Sequence, residues 1–194
     1  MIARALLVGL ATAVLVPLQA NAQDLVQEAL DRGTKSKKCE APSRGANLSP
    51  GGIRLGSDFD VEITGPLNRV ECRAALAARN YQAVDRRILT EEDTSTFVRV
   101  RVRPGVGMAG RGGIAEWGFK NVILKSRAGI VQPDSLYFVR DSIRNDVGIV
   151  TPYSSTIALF RPEVVPAGEF EVLMTYSFTE LKVRVPNDAR RKIR

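Results

Sequence analysis

Residues Phe97–Pro104 read FVRVRVRP, with Val98, Val100 and Val102 alternating strictly with Arg99, Arg101 and Arg103. A strand sends successive side chains to opposite faces, so this stretch predicts three valines in a core and three arginines in water. That pattern needs a sheet with one wet face, which points to antiparallel pairing rather than a parallel sheet buried on both sides. Pro104 removes a ladder donor and closes the strand.

Several other short stretches carry the same signature. Asp58–Thr64 alternates Phe59, Val61 and Ile63 against Asp60 and Glu62. The stretches Val122–Lys125, Ile130–Val131, Leu136–Val139, Thr156–Phe160, Phe170–Phe178 and Leu181–Val185 also read as strands. Thr179-Glu180 is expected as the tight turn between the last two. One segment reads differently: Leu67, Val70, Ala74, Ala77, Ala78, Tyr81 and Val84 recur at helical spacing, with Pro66 suited to the first turn. The expected fold is therefore mainly β with one main helix: an immunoglobulin-like antiparallel β-sandwich with helix 67–84 packed on one side or edge. The alanines of that helix are expected to lie close against a sheet.

The N-terminus bears on compartment. Arg4 precedes an apolar run from Ala5 to Leu18, and Ala20-Asn21-Ala22 forms a small-residue cleavage site before Gln23. That is the layout of a secretory signal peptide over residues 1–22, with a run too short to span a bilayer comfortably. The expected organisation continues with an N-terminal arm over 23–52, a single domain over 53–186 and a basic tail over 187–194. Within the arm, Asp24–Asp31 is expected to form two short helical turns ending at Gly33, followed by an extended Pro/Gly/Ser/Asn-rich stretch to Gly52. Cys39 and Cys72 are the two cysteines of the chain, and an even count in an exported protein predicts one disulfide. On the helix, Cys72 falls beside Leu76 and Arg79, so the arm is expected to cross the helix's outer face and cover Leu76.

Chemistry is constrained mostly by what is missing. The chain contains no histidine, so Ser-His-Asp and Cys-His catalysis and imidazole-based zinc sites are excluded. A disulfide would withdraw both thiols as well. Gly105, Gly107 and Gly110 satisfy G-x-G-x-x-G after a strand, but no helical pattern follows Gly112 and Gly113, so a loop is expected rather than a dinucleotide cradle. Glu91, Glu92 and Asp93 are adjacent, and Asp134, Asp141 and Asp146 lie near later strand ends. These read as turn residues, because glycosidase chemistry needs two carboxylates facing each other across a cleft. No metal, cofactor or catalytic residue is predicted.

The candidate binding surface comprises Arg99, Arg101 and Arg103, Met108, Arg111 and Trp117 of the 105–118 segment, and Arg190 and Arg191 of the basic tail. Removing the leader costs only Arg4 and leaves 27 basic against 21 acidic side chains, an excess that favours acidic partners. No aromatic lies among the three strand arginines, which argues against nucleic acid. The functional expectation is an exported, soluble, non-enzymatic binding or assembly protein, periplasmic or extracellular. Its partner would be another envelope or extracellular protein or an acidic surface, and no transmembrane segment would remain after cleavage. The alternatives are an exported carboxylate-dependent hydrolase, for example on polysaccharide, and a structural protein with no specific ligand.

Overall fold

The computed structural model describes residues 16–39, 43–46, 59–104, 119–144, 148, 150–176 and 179–193. The alternating valines place β3 (Val98–Pro104) at the centre of a five-stranded antiparallel sheet. Its other members are β1 (Ser43–Ala46), β2 (Phe59–Thr64), β6 (Ser135–Arg144) and β7 (Val150–Phe160), in the order β1-β2-β3-β7-β6. A second antiparallel sheet holds β4 (Asn121–Ser126), β5 (Gly129–Val131), β8 (Phe170–Tyr176) and β9 (Thr179–Val185), in the order β5-β4-β8-β9. The protein is thus mainly β, with two antiparallel sheets and a few helices.

Alternation decides which side chains are buried. Val98, Val100 and Val102 face inward with Phe59, Val61, Ile63, Ala158 and Phe160 from the same sheet, and meet Val122, Leu124, Val172, Met174, Leu181, Val183 and Val185 of the other in one apolar cluster. Phe119, just before β4, is buried edge-on against Phe59, with ring centroids 4.8 Å apart, an arrangement worth about 0.5–1.5 kcal/mol beyond its buried area. Its backbone N–H donates to Thr156 Oγ1 on β7 at 2.9 Å, a buried hydrogen bond that ties the start of β4 to the opposite sheet.

The helices build a second, separate core. Helix α1 (Val16–Ser36) lies against α2 (Pro66–Arg79), with Ala29 and Leu30 of one meeting Val70 and Ala74 of the other and Val26, Leu67, Val84, Ile88 and Leu89 around them. This corrects three expectations. The helix before Gly33 is longer than two turns and runs through that glycine, because Gly33 marks a contact: a Cβ there would come within 2.8 Å of Ala74 Cβ and closer still to the Glu71 carbonyl. Ala74 of α2 faces α1 rather than a sheet, so the described residues hold two long helices rather than one. And α2 ends at Arg79, not near Val84. Asn80 caps it, Tyr81 adopts a left-handed φ of 57°, and the N–H groups of Tyr81 and Gln82 bond back to the carbonyls of Ala78 and Ala77. That is a Schellman closure with a tyrosine where glycine is usual.

Cys39 and Cys72 form the expected disulfide, and Arg32 adds an ion pair to Glu71 at 2.5 Å. Leu76 stays exposed, however, because α1 packs on the Val70–Ala74 side of α2. Part of the stretch expected as an unpacked arm is strand β1, which pairs with β2 from Ser43↔Glu62 to Ala46↔Phe59. The acidic segment is also ordered: Glu91–Thr94 forms a single helical turn, α3, whose Asp93 is buried and bonded to Thr90 and Arg73. Register places Tyr176 opposite Thr179, so Thr179 and Glu180 belong to β9 rather than to the turn.

At the C-terminus, residues 187–193 are packed rather than free. Asn187–Arg190 forms α4, and Ala189 and Ile193 join the inter-sheet core. Among the described residues, no helix is long and apolar enough to cross a membrane.

Candidate functional site

The three strand arginines sit on the outer face of the five-stranded sheet, and each is met by an acid. Arg99 pairs with Glu62 of β2 at 3.4 Å and with Glu92 of α3. Arg103 lies opposite Asp60 in register, 3.9 Å away. Arg101 reaches across β7, donating to Ser155 Oγ at 3.3 Å and to Asp141 of β6 at 2.6 Å. Tyr153 donates its hydroxyl to the same carboxylate at 2.9 Å. The expected wet stripe is therefore a half-buried lattice of ion pairs, with Arg99 only 16% exposed and Arg101 22%. Beneath it, Tyr153, Ser155 and Ile157 of β7 share the arginines' face and are buried. Long arginine stems shield such a surface while their heads find partners.

The lattice shifts its own titrations. Burial works to raise the Asp141 pKa, but the Ser142 N–H, the Tyr153 hydroxyl and Arg101 outweigh it, so the carboxyl titrates below its ordinary 3.8. Tyr153 is raised, first by burial and then by its bond to Asp141.

Sequence reasoning missed Arg69, the most buried cation among the described residues at 3% exposure. It donates to the carbonyls of Thr64, Glu92, Phe97 and Ser95 and so locks the α3 turn onto the entrance of β3. Desolvation, joined by the nearby Arg99 charge, lowers its pKa to about 10. Its i+3/i+4 spacing gives no hint of this, since Arg69 lies within a helix and its partners are backbone groups.

The remaining predicted residues fall in different places. Met108, Arg111 and Trp117 lie outside the described residues, as does Asp146. Arg190 is half-buried, its Nε donating to the Pro166 carbonyl at 2.7 Å, whereas Arg191 is exposed. Asp134 accepts from Arg161. Among the described residues, the two buried carboxylates, Glu71 and Asp93, are each held by an arginine, Arg32 and Arg73. Among the described residues, no group of acids or cysteines could hold a metal ion.

Two surfaces were not foreseen. One is the edge of the five-stranded sheet: β6 is ten residues long and exposes Phe138 (54%) and Val139, with Val150 exposed at the start of β7 beside it. The other is a cleft of about 930 Å³ between the β4–β5 turn and residues 164–171, lined by Lys125, Arg127, Ile130, Glu169, Glu171 and Arg184 among others. A smaller hollow of about 410 Å³ separates Ala22, Gln23 and Val26 of α1 from residues 86–94. Comparison with known proteins finds no family model, curated protein or solved structure that matches the chain.

Proposed function

We propose that this chain is an exported, soluble, non-enzymatic binding or assembly protein of the cell envelope or extracellular space, built on an immunoglobulin-like β-sandwich, and that its partner engages the β6 edge. The observation that carries the reading is the exposure of Phe138 and Val139 along a ten-residue strand at the end of its sheet. A ten-residue edge strand with exposed apolar side chains carries unpaired backbone groups and invites strand addition, a hazard unless a partner uses it.

Topology supports the immunoglobulin-like part. Lettering β2 to β9 in chain order as A, B, C, C′, D, E, F and G turns the two sheets into β1-A-B-E-D and C′-C-F-G, the strand order of that architecture with β1 and C′ added. Export is supported by the disulfide. It is supported too by the packing of α1 from Ala22 onward: Ala22 to Leu25 are exposed, and the contacts with α2 are made by Val26, Ala29 and Leu30. Cleavage after Ala22 would spare every one of those contacts.

The test is site-specific photo-cross-linking in the native cell envelope, with the probe placed at position 138 and, as a control, at exposed Lys120. One dominant, near-stoichiometric adduct from position 138 and none from position 120 is the expected result. Equal labelling from both positions, or none from either, would overturn the reading.

A further inference from the structure

The cleft beside the β4–β5 turn combines a shaped wall, an apolar floor and two cations with nothing to hold. Its turn is set by the Ala128 N–H donating to Ser126 Oγ at 3.2 Å. Its far wall is pinned where Arg190 donates to the Pro166 carbonyl. Phe170, buried, and Val131 and Val164, half-buried, supply apolar lining.

Charge separates the lining residues into two sets. Both carboxylate oxygens of Glu169 are taken by Arg184, at 2.8 Å each. Glu171 lies between β4 and β9, opposite Lys125 on one side and Arg184 on the other, and its field acts on Lys182 and Arg184. Lys125 and Arg127 are exposed and make no ion pair or side-chain hydrogen bond with a described residue. The cleft therefore offers two free cations beside two acids, a balance that suits spaced single carboxylates and resists a dense polyanion.

Geometry narrows the ligand further. Ile130, 60% exposed, stands opposite Lys125 in register, on a strand at the edge of its sheet. An extended chain laid along β5 would meet free backbone groups, an apolar anchor and the two cations in sequence. We infer that this cleft binds an extended acidic peptide segment of a partner protein, adding to β5 with its carboxylates on Lys125 and Arg127 and an apolar side chain on Ile130. The inference deepens the binding reading but uses a surface distinct from the β6 edge.

The experiment is fluorescence polarisation of the full mature chain with a labelled synthetic peptide of alternating valine and glutamate, against the same peptide carrying glutamine for glutamate. Saturable binding is expected for the glutamate peptide, weakened at least about tenfold by glutamine and by the double variant Lys125→Glu/Arg127→Glu. Affinity should also fall with added salt. Ile130→Asp gives an independent loss, and circular dichroism shows that each variant is folded. Phe138→Lys should bind like the parent, so failure of the β6 reading leaves this result intact. Absence of saturable binding, equal affinity for the glutamine peptide, or an unaffected double variant would overturn the inference. So would competition by free glutamate at the concentration at which the unlabelled peptide competes.

Discussion

The side-chain amide of Asn68 donates to the backbone carbonyl of Lys192 at 2.9 Å, while its oxygen accepts the N–H of Gly65. One buried residue thus caps the start of α2 and holds the C-terminal segment across 124 positions of sequence. Asn68→Ala should cost about 1–3 kcal/mol by leaving buried groups unpaired, and Ile193→Ala about 2–5 kcal/mol through its lost core contacts. Urea denaturation of both and of the double variant checks this. The combined loss should be smaller than the sum, because Asn68 secures the segment that carries Ile193. Strict additivity would show that the two are not linked.

Gly33 permits the close approach of α1 and α2, and Gly33→Ala measures how much that approach is worth. Alanine is the better helix former by about 1 kcal/mol, so propensity alone predicts a more stable protein. The backbone of Glu71 and the Ala74 side chain leave no room for the added methyl, and overpacking of this kind costs about 1–3 kcal/mol. A lower thermal midpoint is the expected sign, and a higher one would mean the helices simply move apart at no cost.

Tyr81 poses the opposite case. It is 95% exposed and held in the left-handed region, where a Cβ is unfavourable and glycine is at ease. Tyr81→Gly should raise stability by about 0.5–1 kcal/mol, since no packing is lost. Calorimetry of the pair settles the sign.

The disulfide joins positions 33 residues apart. Closing a loop of that length restricts the unfolded chain by roughly 3–4 kcal/mol in the chain-entropy model. Cys39→Ala/Cys72→Ala, or reduction of the parent, should lower the urea midpoint accordingly. The helical pair should loosen first, with faster amide exchange at Ala29 and Leu30 than at Val100 and Leu124.

Asp141 gives the lattice a pH dependence. Its folded pKa lies below the ordinary 3.8, so its contribution is present above that value and disappears as pH falls through the folded one. Asp141→Asn should therefore cost about 1 kcal/mol at neutral pH, allowing for partial exposure. The gap between parent and variant should close as the pH falls below the ordinary carboxylate range. A gap that persists at low pH would assign the effect to shape rather than charge.

Much of this architecture was legible along the chain because strand burial has period two. FVRVRVRP, DFDVEIT and LKVRV each state which face is inside, and the observed strands β3, β2 and β9 cover them. Pro66 and the helical spacing from Leu67 marked α2 for the same kind of reason, although that spacing ran on to Val84, past the observed end at Arg79. The Cys39–Cys72 pairing followed from there being no other cysteine. Edges were less legible: β6 extends to Arg144 and β7 begins at Val150, beyond the apolar cores of their sequences, because cross-strand pairing recruits polar residues that have no periodicity of their own.

The sequence by itself determined the alternating strands, the position of the first long α2 turn, the single staple and the exclusion of histidine chemistry, since these depend on residue type and local spacing. Only the tertiary structure decided the rest. It turned Gly33 from a stop into a contact, gave the arginine stripe its acids, buried Arg69 among four carbonyls, and left Phe138, Lys125 and Arg127 without cover. Each of those outcomes is set by which distant segment arrives at a given surface, and an ion pair or a close helix crossing depends on a partner that the local sequence does not contain.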